Sequence, residues 1–242
     1  MMFDKFVDLS LNNIWKDMQR TLNDSGGSAL IDIDSCASLK RGMRRKILSF
    51  SLRALIQEMY CKKECGMLQG SNSAERFKFF EDMAGTKTYA EELFTKYPVL
   101  KTKIDTYCMA TRDYVVEIVN HLQKDQKEVE RIIGISIKHI NDIEIESGDS
   151  HNGGKTVSIL LLDSGKVVYK PHSLHANILF ARLLDLVNKN AGLMCDLNAV
   201  KCLSRKKYGW EEFVRFQDCD SIEGVKRYYY RMGCYCYYSQ PI

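Results

Sequence analysis

Near residue 132 the apolar residues of this chain stop recurring every three to four positions and begin to alternate. A helix buries one stripe at a period of about 3.6 and a strand buries one face at a period of about 2. A chain that changes from one period to the other builds helices first and a sheet afterwards. Before the change, Leu48, Leu52, Leu55, Ile56 and Met59 predict one buried helix face. A second helix is expected after Ser73, with Phe77, Phe80 and Met83 inward. A third is expected from about 101 to 122, with Ile104, Tyr107, Cys108, Thr111, Val115, Ile118 and Val119 on one side. The charged run 123–131 continues that helix or connects it to the first strand.

After the change, 135–146 (ISIKHINDIEIE) reads as a half-buried strand, and 147–155 (SGDSHNGGK) as a glycine-rich loop. TVSILLLD (156–163) and KVVYKP (166–171) form a hairpin through a turn at Ser164–Gly165. A helix over 174–190 turns Leu174, Ile178, Ala181 and Leu184 inward and stops at Gly192. AVKCLSR and WEEFVRF supply two more strands. Asp220, with Glu223 three residues on, predicts the cap of a last, short helix with an uncovered tyrosine-rich face. The fold class is therefore α+β. Residues 1–131 form a helical region, 132–219 a small lobe of twisted antiparallel sheet with one packed helix, and 220–242 the start of a further lobe.

Composition narrows the function classes. Hydrophobic residues make up 45% of the 242, which excludes a disordered chain. The 35 basic and 31 acidic residues leave a net charge of +4, too small and too evenly spread for a nucleic-acid partner. The one basic cluster, Lys40, Arg41, Arg44, Arg45, Lys46 and Arg53, is expected to be a solvated helix face. Nine cysteines without a C-x-x-C pair or a signal peptide predict reduced thiols in the cytoplasm and no zinc site. No apolar run is long enough for a transmembrane segment.

Strand, glycine-rich loop, strand, hairpin turn, strand ending in a lysine, helix, two strands: this order matches the small lobe of a kinase-like fold. Gly148, Gly153 and Gly154 would let backbone N–H groups approach nucleotide phosphates, and Lys170 would reach those phosphates from the sheet. Asp149 and His151 do not suit an anion cradle. Either they cap and decorate a turn, or His151 moves a proton and Asp149 orients it or acts as a second acid–base group.

The strings SGDSHNGGKTVSILLLDSGKVVYKPHSLHAN, YGWEEFV and DSIEGVKRYYYRMG, preceded by LRALIQEMY and GMLQGSNSAERFKFFEDM, resemble the dehydratase region of class II (LanM-type) lanthionine synthetases. The resemblance runs over about residues 40–238. It implies a two-step reaction on a lanthipeptide precursor, leader and core. ATP, with magnesium, phosphorylates Ser or Thr, and phosphate is then eliminated to leave dehydroalanine or dehydrobutyrine. It puts Lys170 on the family's nucleotide-phosphate lysine, and Asp149 and His151 on the loop pair implicated in elimination. Two departures stand out. His172 follows Tyr169-Lys170-Pro171 where the family commonly has arginine, and Asp185 is the only carboxylate on the helix after Lys170. The resemblance also implies a D-x-H-x-x-N catalytic loop, a metal-binding acid and an activation segment after the final helix, and the sequence carries none of them there. The expectation is thus a truncated dehydratase, inactive alone, whose remaining lobes could lie on another chain. The alternatives are a non-catalytic module that binds the leader or complements a partner, and a small unrelated kinase-like ATPase.

Overall fold

A computed structural model describes residues 2–145 and 155–239. Five helices come first: α1 (Asp4–Asp24), α2 (Ala37–Glu64), α3 (Ser73–Ala84), α4 (Lys87–Lys96) and α5 (Pro98–Ile133). Their boundaries reflect local chemistry. Asn72 caps α3 by accepting from the Glu75 N–H, and Thr86 caps α4 by accepting from the Tyr89 N–H. Pro98 opens α5, where its missing N–H costs nothing, and Gly134 closes it at φ 83°.

Helix α5 is the spine. It runs through the charged segment 123–131 without a break and buries Ile104, Cys108, Thr111, Val115, Ile118, Val119, Leu122, Val129 and Ile133 on one side. The face of α2 differs from the expected one by about one position. Leu39, Met43, Ile47, Ser51 and Leu55 are fully buried, while Leu48, Leu52 and Met59 pack at the margin of the core. The basic cluster is not simply solvated. Arg44 pairs with Asp4, at 2.8 Å, and with Asp8 of α1, and the Lys40 ammonium lies over the Trp15 ring.

The sheet holds β1 (Ile140–Glu144), β2 (Ser158–Leu162), β3 (Gly165–Lys170), β4 (Cys202–Ser204) and β5 (Gly209–Glu212), all antiparallel, in the order β1-β2-β3-β5-β4. Helix α6 (His175–Asn190) connects β3 to β4, and α7 (Ile222–Tyr238) comes after β5. This is the expected α+β architecture. The five N-terminal helices precede a small sheet.

Several local expectations are corrected. The strand expected over 135–146 is confined to Ile140–Glu144. Its alternation breaks because two residues of β1 stand against one of β2 between Ile140 and Asp142, so that Ile140 and Ile143 both turn inward. The freed Asp142 carboxylate accepts from the Ser38 and Leu39 N–H groups, capping the start of α2. The hairpin turn is Asp163–Ser164, with Gly165 already in the ladder opposite Leu162 at φ 151°. The last two strands span only 202–204 and 209–212. Ser221, not Asp220, caps α7 by accepting from the Gly224 N–H. That helix continues for 17 residues rather than stopping early. Part of its aromatic face is covered, since Cys234, Tyr235 and Tyr238 pack against Leu184, Val187 and Leu197.

Candidate functional site

Alternation along β3 sends Val167 and Tyr169 onto α5 and leaves Lys166, Val168 and Lys170 on the other face. The neighbouring strand β5 obeys the same rule, so Trp210 points to α5 and Glu211 away from it. Val168 stands opposite Glu211 and Lys170 opposite Gly209. Lys170 and Glu211 are thus diagonal neighbours on one face, and their side chains form an ion pair. Both are mostly withdrawn from water, with side-chain exposures of 24% and 12%. Glu211 Oε2 has no hydrogen-bond partner beyond this ion pair among the described residues. Cys202 of β4 lies across the ladder from Glu211, and burial, then the Glu211 charge, pushes its thiol up.

Glu211 also lines a cavity of about 580 Å³ closed by Ala176, Asn177 and Phe180 of α6, residues 198–200, and Tyr235 of α7. Glu211 therefore faces a cavity walled by α6 and α7 and backed by the sheet. A second cavity, of about 790 Å³ and largely apolar, lies along α5 beside Phe50, Val99, Tyr107 and Tyr114. Lys155 and Glu117, ion-paired at 2.5 Å, also line it.

Behind Lys170 the sheet is fastened to α5 by a buried cluster. The His121 ring stacks on Tyr208 at 3.6 Å, and its Nδ1 is 2.9 Å from the Tyr169 hydroxyl. Asp125, 1% exposed, accepts from Arg205 at 2.8 and 3.0 Å and from the Trp210 indole at 3.1 Å. Burial raises the Asp125 carboxyl, but the bonds from Arg205 and the Trp210 indole outweigh it and hold the group below the usual range. Tyr169 and Trp210 adjoin Lys170 and Glu211 in sequence. The cluster therefore fixes the backbone from which the ion pair projects.

Of the residues singled out from the sequence, Lys170 stands on the sheet as described. Gly148, Asp149, His151, Gly153 and Gly154 lie outside the described residues. His172 is exposed, its Nδ1 3.1 Å from the Ser173 carbonyl oxygen. Asp185 is an exposed residue of α6 and makes no ion pair among the described residues. Sequence reasoning missed Glu211, because it sought the partner of Lys170 on a helix. The signal was present in Trp210-Glu211-Glu212, where alternation in a strand turns Glu211 away from a buried tryptophan. The pairing of β3 with β5 that brings it to Lys170 has no local signature.

Lys170 is a described cation that could meet nucleotide phosphates. The carboxylate facing Lys170 is taken up by the ion pair, and no group of three or more His, Cys, Asp or Glu among the described residues is placed to hold a metal. No helix among them is long and apolar enough to cross a membrane.

The family described as a domain of unknown function, DUF4135, matches residues 97–239, from the cap of α5 through the sheet to the end of α7. The lacticin 481/lactococcin biosynthesis protein LcnDR2 of Lactococcus lactis subsp. lactis is 29% identical over 204 residues. The match covers 77% of this chain and 21% of that protein, so the chain spans about a fifth of its relative's length. The chain belongs to the DUF4135 family, as a region related to the LanM-type lanthionine synthetases.

Proposed function

We propose that this chain is the N-terminal part of a lanthipeptide dehydratase, in which a kinase-like small lobe binds ATP over Lys170. The observation that carries the reading is the lysine at the end of the third strand, ion-paired on the sheet face turned toward α6. The strand order, with one helix between β3 and β4, supports it. So does the relation to a protein of lacticin 481 biosynthesis. The substrate is a precursor peptide with a leader and a core. The first reaction is phosphorylation of Ser or Thr, and the second is elimination of that phosphate to dehydroalanine or dehydrobutyrine.

Each residue has a role set by its chemistry. Lys170 carries a fixed positive charge that would hold the nucleotide phosphates and then the leaving phosphate. Gly148, Gly153 and Gly154 would line the phosphate path with backbone N–H groups. A histidine exchanges protons near neutrality, so His151 would suit removal of the Cα proton, with Asp149 orienting it. No group of three or more His, Cys, Asp or Glu among the described residues is placed to hold a metal ion, and the isolated chain is expected to leave a precursor unmodified.

The test grafts residues 1–239 into a full-length synthetase and follows its cognate precursor, ATP and magnesium by mass spectrometry. Lys170→Ala should suppress both phosphorylation and dehydration, whereas His151→Ala and Asp149→Asn should accumulate phosphopeptide. Dehydration that persists in Lys170→Ala overturns the reading. Unmodified peptide in the loop variants removes the division of labour. A second reading, a non-catalytic module that holds the leader or complements a partner chain, is favoured by the exposed apolar side chains of α6 and α7, among them Leu186, Tyr229 and Tyr237. Precursor binding that is indifferent to both ATP and Lys170→Ala would favour it.

A further inference from the structure

In protein kinases the lysine of the third strand is held by a glutamate from the helix that comes after it, and moving that helix makes or breaks the pair. Here α6 comes after β3, yet its one carboxylate, Asp185, is exposed on the helix surface. The lysine is met instead from the sheet itself. Glu211 is bracketed by two ladders, opposite Val168 of β3 and opposite Cys202 of β4. The residue before it, Trp210, is fully buried and its indole donates to Asp125 of α5. A carboxylate held on both sides and anchored from below cannot swing away as one on a mobile helix can.

We infer that Glu211 is the positioning residue for Lys170, and that it keeps the lysine engaged whatever the position of α6. This inference rests on the nucleotide reading of Lys170 for its purpose, but the ion pair can be tested without nucleotide. The lysine ammonium is oriented along the sheet face by the strand-borne carboxylate. Control that kinases exert through the intervening helix is absent from this pair. Cys202, across the ladder from Glu211, feels the same charge.

Two measurements on the 242-residue chain separate the claims. In the first, acetic anhydride modifies lysines by amine attack on an acyl carbon, forming an amide and releasing acetate, and each site is tracked by peptide mass spectrometry. An amine engaged in an ion pair is withheld from this reaction. Glu211→Gln, close in shape, should raise acetylation of Lys170 several-fold relative to Lys166, and Glu211→Asp should restore part of the protection. Asp185→Asn should leave it unchanged. Unaltered protection in Glu211→Gln, or loss of protection in Asp185→Asn, overturns the inference. The second measurement uses an acyl-phosphate derivative of ATP, which transfers its acyl group to a lysine beside the phosphates and releases ATP. Wild-type Lys170 should be labelled, and Glu211→Gln should lower that labelling by about tenfold or more through misalignment. Labelling as strong in Glu211→Gln as in wild type overturns the positioning role. Absence of labelling in wild type, with acetylation still responding to Glu211→Gln, sinks the nucleotide reading and leaves the ion pair standing. Tryptophan fluorescence, from Trp15 and from Trp210 beside Glu211, verifies that each variant is folded.

Discussion

Asp125 and His121 show how much of this lobe depends on single buried polar groups. Removing one partner of a buried charged pair leaves the other uncompensated, at a cost of about 3–5 kcal/mol. Arg205 is partly exposed and keeps Glu128 at 2.7 Å, so Asp125→Ala should lower the free energy of unfolding by less, about 1–3 kcal/mol, chiefly because the buried Trp210 indole loses its acceptor. Denaturant titration monitored by tryptophan fluorescence checks it, and a loss within error of zero would mean that water replaces the carboxylate. The pH dependence has a definite sign. Burial, against the nearby Glu117 and Asp125 charges, lowers His121 from 6.5, so the unfolded chain binds its proton more readily. The stability it contributes is complete above 6.5 and declines as the pH falls below that value toward the lowered folded one. Asp125, also lowered, adds a second loss only at more acid pH, below its ordinary 3.8. The unfolding midpoint should thus fall between about pH 7 and 5, and His121→Gln should flatten that decline. An unchanged slope in the variant would assign the effect to another group.

At the scale of the element, β5 is the strand on which the site depends, and its first residue tolerates no side chain. A Cβ on Gly209 would come within 2.6 Å of the Leu174 side chain and 2.9 Å of the Leu203 carbonyl oxygen. The second of these is backbone and cannot move aside without shifting β4. Gly209→Ala should cost about 1–3 kcal/mol by overpacking. It should also raise acetylation of Lys170, which stands directly opposite on β3. A stable variant with unchanged Lys170 protection would show that β4 gives way freely. Elements with strong local chemistry were legible in advance. The long apolar stripe of α5, the hairpin β2–β3 and the glycine stop at Gly192 all rest on residues close in sequence. The five-residue length of β1 was not legible, because the alternation 135–146 continues past the point where a partner exists. Pairing ends a strand, and period alone cannot.

Across the whole molecule the apolar interior divides in two. One continuous core joins α1–α5 to the inner face of the sheet, whereas a small separate cluster, Leu184, Val187 and Leu197, underlies α6 and α7. Helix α7 buries none of its residues, and Tyr228, Tyr229 and Tyr237 are 58%, 69% and 70% exposed. Regions with few buried contacts open at lower free energy than the core. Amide hydrogen exchange should therefore be faster throughout α7 than in residues 111–122 of α5. Equal protection in the two would mean that the aromatic face is covered in solution. The α+β division was set by the sequence itself, since hydrophobic period is a local property that needs no knowledge of partners. The lysine at the end of β3 was legible for the same reason. Which carboxylate faces that lysine was decided only by the tertiary structure, because Glu211 reaches it across a β3–β5 pairing that spans some forty residues of chain. That pairing is selected by the summed burial of Tyr169, Trp210 and their partners on α5, an energy that exists only once the helical spine and the sheet have met.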